Sequence, residues 1–185
     1  MTLRPDTTPI VGLYVVETSS FSDHRGSFTR LFCERELSAA IGERKIVQIN
    51  QSVTTRIGAI RGMHFQYPPA TEMKIVRCLK GRVFDVAVDL RADSPTFLHW
   101  FAIELSGENK KMMVIPEGFA HGFQTLEEHC EMLYLHTCFY QPDAEGGVRF
   151  DDPALRIEWP LPPQDISARD ACHNLISKNF EGIKL

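Results

Sequence analysis

The sequence predicts an all-β fold, an antiparallel sandwich or small barrel with little helix. Apolar and polar residues alternate through most of its centre, as in Val47-Gln-Ile-Asn-Gln-Ser-Val53, the period of a strand with one face in a core. About ten such segments follow at close spacing, separated by turn residues rather than by the helical spacers of a βαβ fold. Helical periodicity is scarce.

The elements follow in order. Residues 1–12 form an N-terminal arm. Arg35-Glu-Leu-Ser-Ala-Ala-Ile41, ended by Gly42, is one short helix, because glycine readily takes the left-handed cap that closes a helix. After the strand over 47–53, Thr54-Thr-Arg-Ile-Gly58 turns the chain into Ala59-Ile60-Arg61. Lys74–Leu79 and Arg82–Leu90 flank Lys80-Gly81, a compact hairpin signal. In the second of these strands Val83, Asp85, Ala87 and Asp89 share one face, and Phe84, Val86, Val88 and Leu90 share the other. Further strands are read over Leu98–Leu105, Lys111–Ile115, Gly118–Gln124 and Glu131–His136, with turns at Ser106–Asn109 and Pro116–Gly118. Pro153, Pro160, Pro162 and Pro163 make the next segment irregular and surface-wrapping. Residues 164–185 form a peripheral segment with a second short helix.

The 185 residues fit one domain, 1–185, and a 43% hydrophobic fraction is ample for its core. A net charge of −4 gives no basic footprint for nucleic acid. The longest apolar stretch is interrupted by Asp85 and Asp89 and cannot span a bilayer. The N-terminus MTLRPDTTPI lacks the apolar region of a secretory signal. Cys33, Cys78, Cys130, Cys138 and Cys172 form an odd set without a CxxC pair. Free thiols in a reducing cytoplasm are expected rather than a disulfide or zinc framework. No GxGxxG or Walker motif signals a nucleotide cofactor.

Two histidine segments carry chemistry: Arg61-Gly-Met-His64-Phe-Gln66 and Pro116-Glu-Gly-Phe-Ala-His121-Gly-Phe123. They allow a metal site or an acid/base site. The chain resembles small barrels of the cupin type, whose metal-binding members carry an HxH pair with a later Glu, then PxGxxH with a later Asn. Pro116, Gly118 and His121 supply the second segment, but the first reads His64-Phe-Gln66 and Thr125 stands in place of the Asn. Two imidazoles without a clear carboxylate make a poor transition-metal shell, so no metal is expected. Acid/base chemistry fits better. His64 lies near Arg61 and Lys74 in sequence, and a base with nearby cations suits proton abstraction beside a carbonyl. The base needs an orienting carboxylate, for which spacing leaves Asp151, Asp152, Asp165 and Asp170 open.

Further segments occur with these in a fixed order: Phe21-Ser-Asp-His-Arg25-Gly-Ser-Phe28, Val83–Arg91, Ser94-Pro-Thr-Phe97, Leu105–Lys110, Ile157-Glu-Trp-Pro160 and Ser167-Ala-Arg-Asp170. Together they resemble the dTDP-4-dehydrorhamnose 3,5-epimerase family, metal-independent enzymes of the cupin jelly-roll fold, from about Gly12 to Asp170. The resemblance implies His64 as general base, Asp170 as the carboxylate that orients it, Tyr134 as proton donor on the opposite sugar face, and Lys74 as the cation near the C4 oxygen. It implies Arg25, Arg61 and His121 as substrate contacts, and Gln48, Asn50, Tyr140, Glu145 and Arg169 as contacts on the nucleotide side. Arg169 replaces a common Lys. Arg25, Arg61, Lys74 and Arg169 are therefore expected to converge in one pocket.

The implied reaction inverts C3 and C5 of a nucleotide-diphospho-4-keto-6-deoxyhexose, most simply dTDP-4-dehydro-6-deoxyglucose, without a cofactor. The alternative is inversion at one carbon of a different nucleotide-linked 4-keto sugar. The implied assembly is a homodimer that exchanges its N-terminal strand. Two positions depart from the family pattern on what is expected to be the nucleotide side: Arg30, where an acidic residue is common, and Ile49, where Asp is.

Overall fold

A computed structural model describes residues 2–185 and places two large antiparallel sheets around a shared core. In chain order the strands are β1 (Leu3–Thr7), β2 (Tyr14–Thr18), β3 (Ser20–Asp23), β4 (Gly26–Thr29), β5 (Gln48–Thr54), β6 (Ile60–Gln66), β7 (Lys74–Lys80) and β8 (Arg82–Asp89). They continue as β9 (Trp100–Ser106), β10 (Met112–Ile115), β11 (Phe119–Thr125), β12 (Cys130–His136) and β13 (Glu145–Gly147). Helix α1 spans Glu34–Ile41 and α2 spans Ala168–Ala171. One sheet has the order β1-β2-β10-β7-β12-β5, the other β13-β6-β11-β8-β9, and β3 pairs only with β4. The all-β, antiparallel prediction with short peripheral helices holds.

Alternation decides which face each residue serves. Val76 and Cys78 of β7, Met113 and Ile115 of β10, and Val83 and Ala87 of β8 point between the sheets. Their neighbours Ile75, Met112 and Val114 point outward and are covered by Leu37, Ala40 and Ile41 of α1. Outward-facing Val86, Val88 and Leu90 of β8 are covered by Leu155, Trp159 and Ile183 of the irregular C-terminal segment. Both faces of these strands thus carry covered apolar side chains, and full burial of a side chain such as Met113 contributes about 1.5–3 kcal/mol.

Helix α1 ends where the sequence predicts. Gly42 takes φ 60° and its N–H bonds to the Ser38 carbonyl at 2.9 Å. Helix α2 is capped by the Ser167 hydroxyl, which accepts the Asp170 backbone N–H at 3.1 Å. In the single chain, the N-terminal arm read over residues 1–12 folds back on β2 through Leu3–Thr7. Thr8 Oγ1 bonds to the Ile10 N–H and to carbonyls of Ile10 and Leu13, and Gly12 takes φ 84°. This turn returns β1 onto β2 in the register Leu3↔Thr18, so the strand completes its own sheet edge. Strand β9 begins at Trp100 rather than Leu98, because Leu98 has φ 61° and bonds back to the Asp89 carbonyl. Among the described residues, no helix is long and apolar enough to cross a membrane.

Candidate active site

Glycine brings the two histidine strands into register. A Cβ on Gly62 would lie 2.6 Å from Gly122 Cα, and one on Gly122 would lie 2.7 Å from the Arg61 carbonyl oxygen. Only glycines permit this approach of β6 to β11. The ladder shifts register between His121 and Phe123, and His121 sits directly opposite His64. Such irregularities re-aim side chains beside active sites. Both imidazoles then face a cavity of about 650 Å³, walled by β6 and β11 on one side and by β5, β7 and β12 on the other.

On the first wall, His64 Nε2 lies 2.8 Å from Asp170 Oδ1. The other Asp170 oxygen accepts the Gly62 backbone N–H at 3.1 Å. Burial alone would raise this carboxyl, but the His64 hydrogen bond and charge and the Gly62 N–H hold it well below the usual carboxylate range. The pairing assigns the neutral ring as the Nε2–H tautomer and leaves the lone pair on Nδ1. Of the four aspartates left open by spacing, Asp170 is the partner, because the short α2 and its Ser167 cap swing it onto β6.

Arg169 adds a guanidinium beside the dyad. Its Nε bonds to Asp170 Oδ1 at 3.3 Å and its Nη1 to Glu145 at 3.0 Å. Its Nη2 lies 3.1 Å from His64 Nε2, but one ring nitrogen cannot donate to Asp170 and also accept from Arg169. The buried carboxylate, at the shorter distance, takes that nitrogen. Glu145 in turn accepts from the Tyr140 hydroxyl at 3.0 Å, and this bond raises the phenol. The Tyr140 backbone N–H bonds to Gln48 Oε1 at 3.1 Å. Tyr140, Glu145 and Arg169 therefore form one rim, with Gln48 bracing it from outside the cavity lining.

On the facing wall, the Tyr134 hydroxyl pairs with Ser52 Oγ at 2.9 Å. Burial pushes the phenol far up, so it stays protonated at neutral pH and can donate. Lys74 Nζ lies 3.0 Å from Glu72 Oε1 and 3.3 Å from the His64 carbonyl. Arg61 Nε donates to Thr54 Oγ1 at 2.8 Å. Asn50 Nδ2 lies 3.3 Å from His136 Nε2. His121 Nε2 pairs with Asp85 Oδ1 at 2.8 Å inside the core.

Three cations converge on this cavity, Arg61, Lys74 and Arg169. Arg25 does not join them. It sits at the tip of the β3–β4 hairpin, 77% exposed and paired with Asp23 at 2.6 Å. That hairpin is bonded to neither large sheet, so it projects from the body of the chain. The two departures from the family pattern are also displaced from their expected place. Arg30 is ion-paired with Glu36 of α1, and Ile49 points outward from β5, 62% exposed; neither lines the cavity. Alternation explains Ile49, since its neighbours Gln48 and Asn50 take the other face.

Sequence reasoning missed several residues. Glu72, Ser52 and His136 line the cavity, and none of them stands in the motifs read from the sequence. Strand parity with Tyr134 places His136 on the same face and could have found it. Asp85 was read only as sharing one face of β8 with Val83, Ala87 and Asp89, without its partner His121. The ring of His173 lies 5.9 Å from that of His64. Donor atoms of His64, Asp170 and His173 come within 4.8 Å of one another. They do not fit a resident cation. Both Asp170 oxygens are already hydrogen-bonded, Arg169 places its charge against them, and His173 Nε2 is packed against Gly147, where a Cβ would meet it at 2.2 Å.

Comparison with known proteins agrees with this geometry. The profile of the family described as dTDP-4-dehydrorhamnose 3,5-epimerase matches residues 7–178. The Salmonella typhimurium dTDP-4-dehydrorhamnose 3,5-epimerase is 42% identical over 92% of this chain and 94% of its own. The Legionella pneumophila dTDP-6-deoxy-D-glucose-3,5-epimerase, solved with dTDP-4-keto-L-rhamnose, superposes with a TM-score of 0.92 at 36% identity, covering 99% of this chain and 98% of that one. A 3'-monoepimerase from Streptomyces bikiniensis, solved with dTDP-quinovose, superposes at 0.84 with 31% identity, covering 91% of this chain and 85% of that one.

Proposed function

The chain belongs to the dTDP-4-dehydrorhamnose 3,5-epimerase family, and on that premise we propose that it inverts both C3 and C5 of dTDP-4-dehydro-6-deoxyglucose through an enolate. One observation supports this most: a buffered base and a protonated donor come from opposite sheets of one cavity. His64 stands on β6 with Asp170 behind it, and Tyr134 stands on β12.

The C4 ketone acidifies the hydrogens on both C3 and C5. His64 Nδ1 takes one of these protons, and the C–H electron pair moves into the enolate, whose charge gathers on the C4 oxygen. Asp170, already ionised, stabilises the imidazolium that forms. Lys74 has two N–H bonds engaged by Glu72 and the His64 carbonyl, and the third is left for the enolate oxygen. The Tyr134 O–H then delivers a proton to the carbon from the opposite side, which inverts the centre. Water then takes the proton from the His64 imidazolium and returns one to the Tyr134 phenolate, so that the same step repeats at the second carbon, and no step calls for a redox cofactor.

Arg61, Arg169 and His121 bind the sugar diphosphate, and Tyr140 presents an exposed ring at the rim for the base. The projecting hairpin supports a homodimer in which Arg25 reaches the partner's cavity. Phe21 and Phe28 leave it 63% and 68% exposed in the single chain, which a second copy would cover.

The test is proton exchange in ²H₂O, followed by NMR at C3 and C5 of dTDP-4-dehydro-6-deoxyglucose. Label at both carbons supports the double epimerase. Label at one carbon alone supports the second reading, a restricted epimerase, which the likeness to the Streptomyces bikiniensis monoepimerase favours. No label at either carbon overturns both.

A further inference from the structure

We propose that Glu72 and His136 form a positioning pair that fixes Lys74 and Tyr134, the enolate cation and the proton donor, relative to each other. The inference rests on the proposed epimerase reading and adds two residues that the family motifs did not bring forward.

Each Glu72 oxygen serves a different partner. Oε1 holds the Lys74 ammonium at 3.0 Å, and Oε2 accepts from His136 Nδ1 at 2.7 Å. The other ring nitrogen, Nε2, lies 3.3 Å from the Asn50 amide nitrogen, so the ring is bonded at both nitrogens. His136 is the register partner of Lys74 across β7 and β12. Two residues back on β12, Tyr134 lies on the same face, and its ring stacks on His136 at 6.2 Å with an interplanar angle of 21°. A continuous chain of contacts thus runs from Asn50 through His136 to Tyr134 on one side and through Glu72 to Lys74 on the other.

A buried carboxylate is unexpected in a cavity built for a diphosphate. It repels the ligand and costs desolvation unless it is paired. Burial would raise the Glu72 carboxyl, but the bonds from His136 and Lys74 pull it below its ordinary value, so it is ionised beside them. The pairing holds the Lys74 ammonium against the cavity wall, where Nζ also donates to the His64 backbone carbonyl at 3.3 Å.

The test compares wild type, Glu72→Gln, Glu72→Asp and His136→Ala in the ²H₂O exchange assay. Glu72→Gln keeps the volume and removes the charge. It is expected to lower kcat by about 10- to 100-fold with little change in KM, the penalty expected of a misplaced group. Glu72→Asp, which restores the charge, should recover part of that loss, and a merely structural residue would not show this split. A Glu72→Gln enzyme with wild-type kcat, or one altered only in KM, overturns the pair. If Glu72→Gln fails to fold, His136→Ala decides: lowered kcat at unchanged KM supports the proposal, and unchanged kcat overturns it. If wild type itself shows no exchange, the epimerase reading fails separately. Crystal structures of wild type and a folded variant, Glu72→Gln or His136→Ala, then decide the positioning claim. Displacement of Lys74 Nζ by about 1 Å or more supports it, and an unmoved ammonium overturns it.

Discussion

Two histidine–carboxylate pairs face each other across neighbouring strands with the same separation and opposite electrostatics. His64 and Asp170 are 2.8 Å apart, as are His121 and Asp85. Asp170 has both oxygens bonded, and His64 and the Gly62 N–H hold its charge in place. Asp85 is fully buried with Oδ2 unpartnered, and burial raises its carboxyl despite the opposing pull of His121. His64 is 25% exposed to the cavity, whereas His121 is almost wholly enclosed. Geometry alone does not make a base. A cationic intermediate is helped by a partner whose charge is held in place and by open access to the substrate; burial works against the charge of Asp85, and His121 is the more enclosed ring.

That contrast can be broken in graded steps. Asp170→Asn keeps the shape and removes the charge, so kcat should fall by about 10³- to 10⁴-fold in steady-state turnover, the scale seen when an orienting aspartate is neutralised in a catalytic triad. Tyr134→Phe should lower product formation by about 10²- to 10⁴-fold. In that variant, label washed into recovered substrate should persist, because abstraction by His64 does not use the phenol. Asp85→Asn should cost much less turnover, within about tenfold, since it touches no reacting atom. Its stability in urea should change by about 1–3 kcal/mol, the range for disturbing one buried hydrogen-bonding group.

The smallest effect is in pH-dependent stability, and it has opposite signs at the two sites. A depressed carboxyl gives stability that is present above its unfolded value and lost as pH falls toward the folded one. Wild type should therefore lose its advantage over Asp170→Asn as the solution is acidified below the ordinary aspartate range. A raised carboxyl binds more protons in the folded state, so it lowers stability as pH rises from the unfolded value. Asp85→Asn should gain on wild type over that rise. Urea midpoints between acid and neutral pH would show the two difference curves diverging.

The fold was legible because alternation names faces. The strand over 47–53, the hairpin at Lys80-Gly81 and the helix ending at Gly42 all appear where the periodicity places them. The edges were less legible. β1 pairs with its own neighbour through a turn built by Thr8, a side-chain bond that no pattern advertises. At the site, spacing could name His64 but left four aspartates open. Asp170 is brought to His64 by a crossing of 106 residues, which only the assembled sheets define. Glu72 and His136 escaped for the same reason, since their meeting depends on the pairing of β7 with β12. Arg25 shows the converse. A motif can be present in sequence while its side chain stands outside the cavity of the chain that carries it.

Of the two imidazoles in direct register, His64 alone is proposed to remove the proton. The decisive measurement follows ²H incorporation at C3 and C5 of dTDP-4-dehydro-6-deoxyglucose with His64→Asn and His121→Asn in parallel. The predicted result is loss of exchange at both carbons in His64→Asn, and exchange that persists with a raised KM in His121→Asn. Equal loss in the two variants, or exchange that survives without His64, would contradict the assignment.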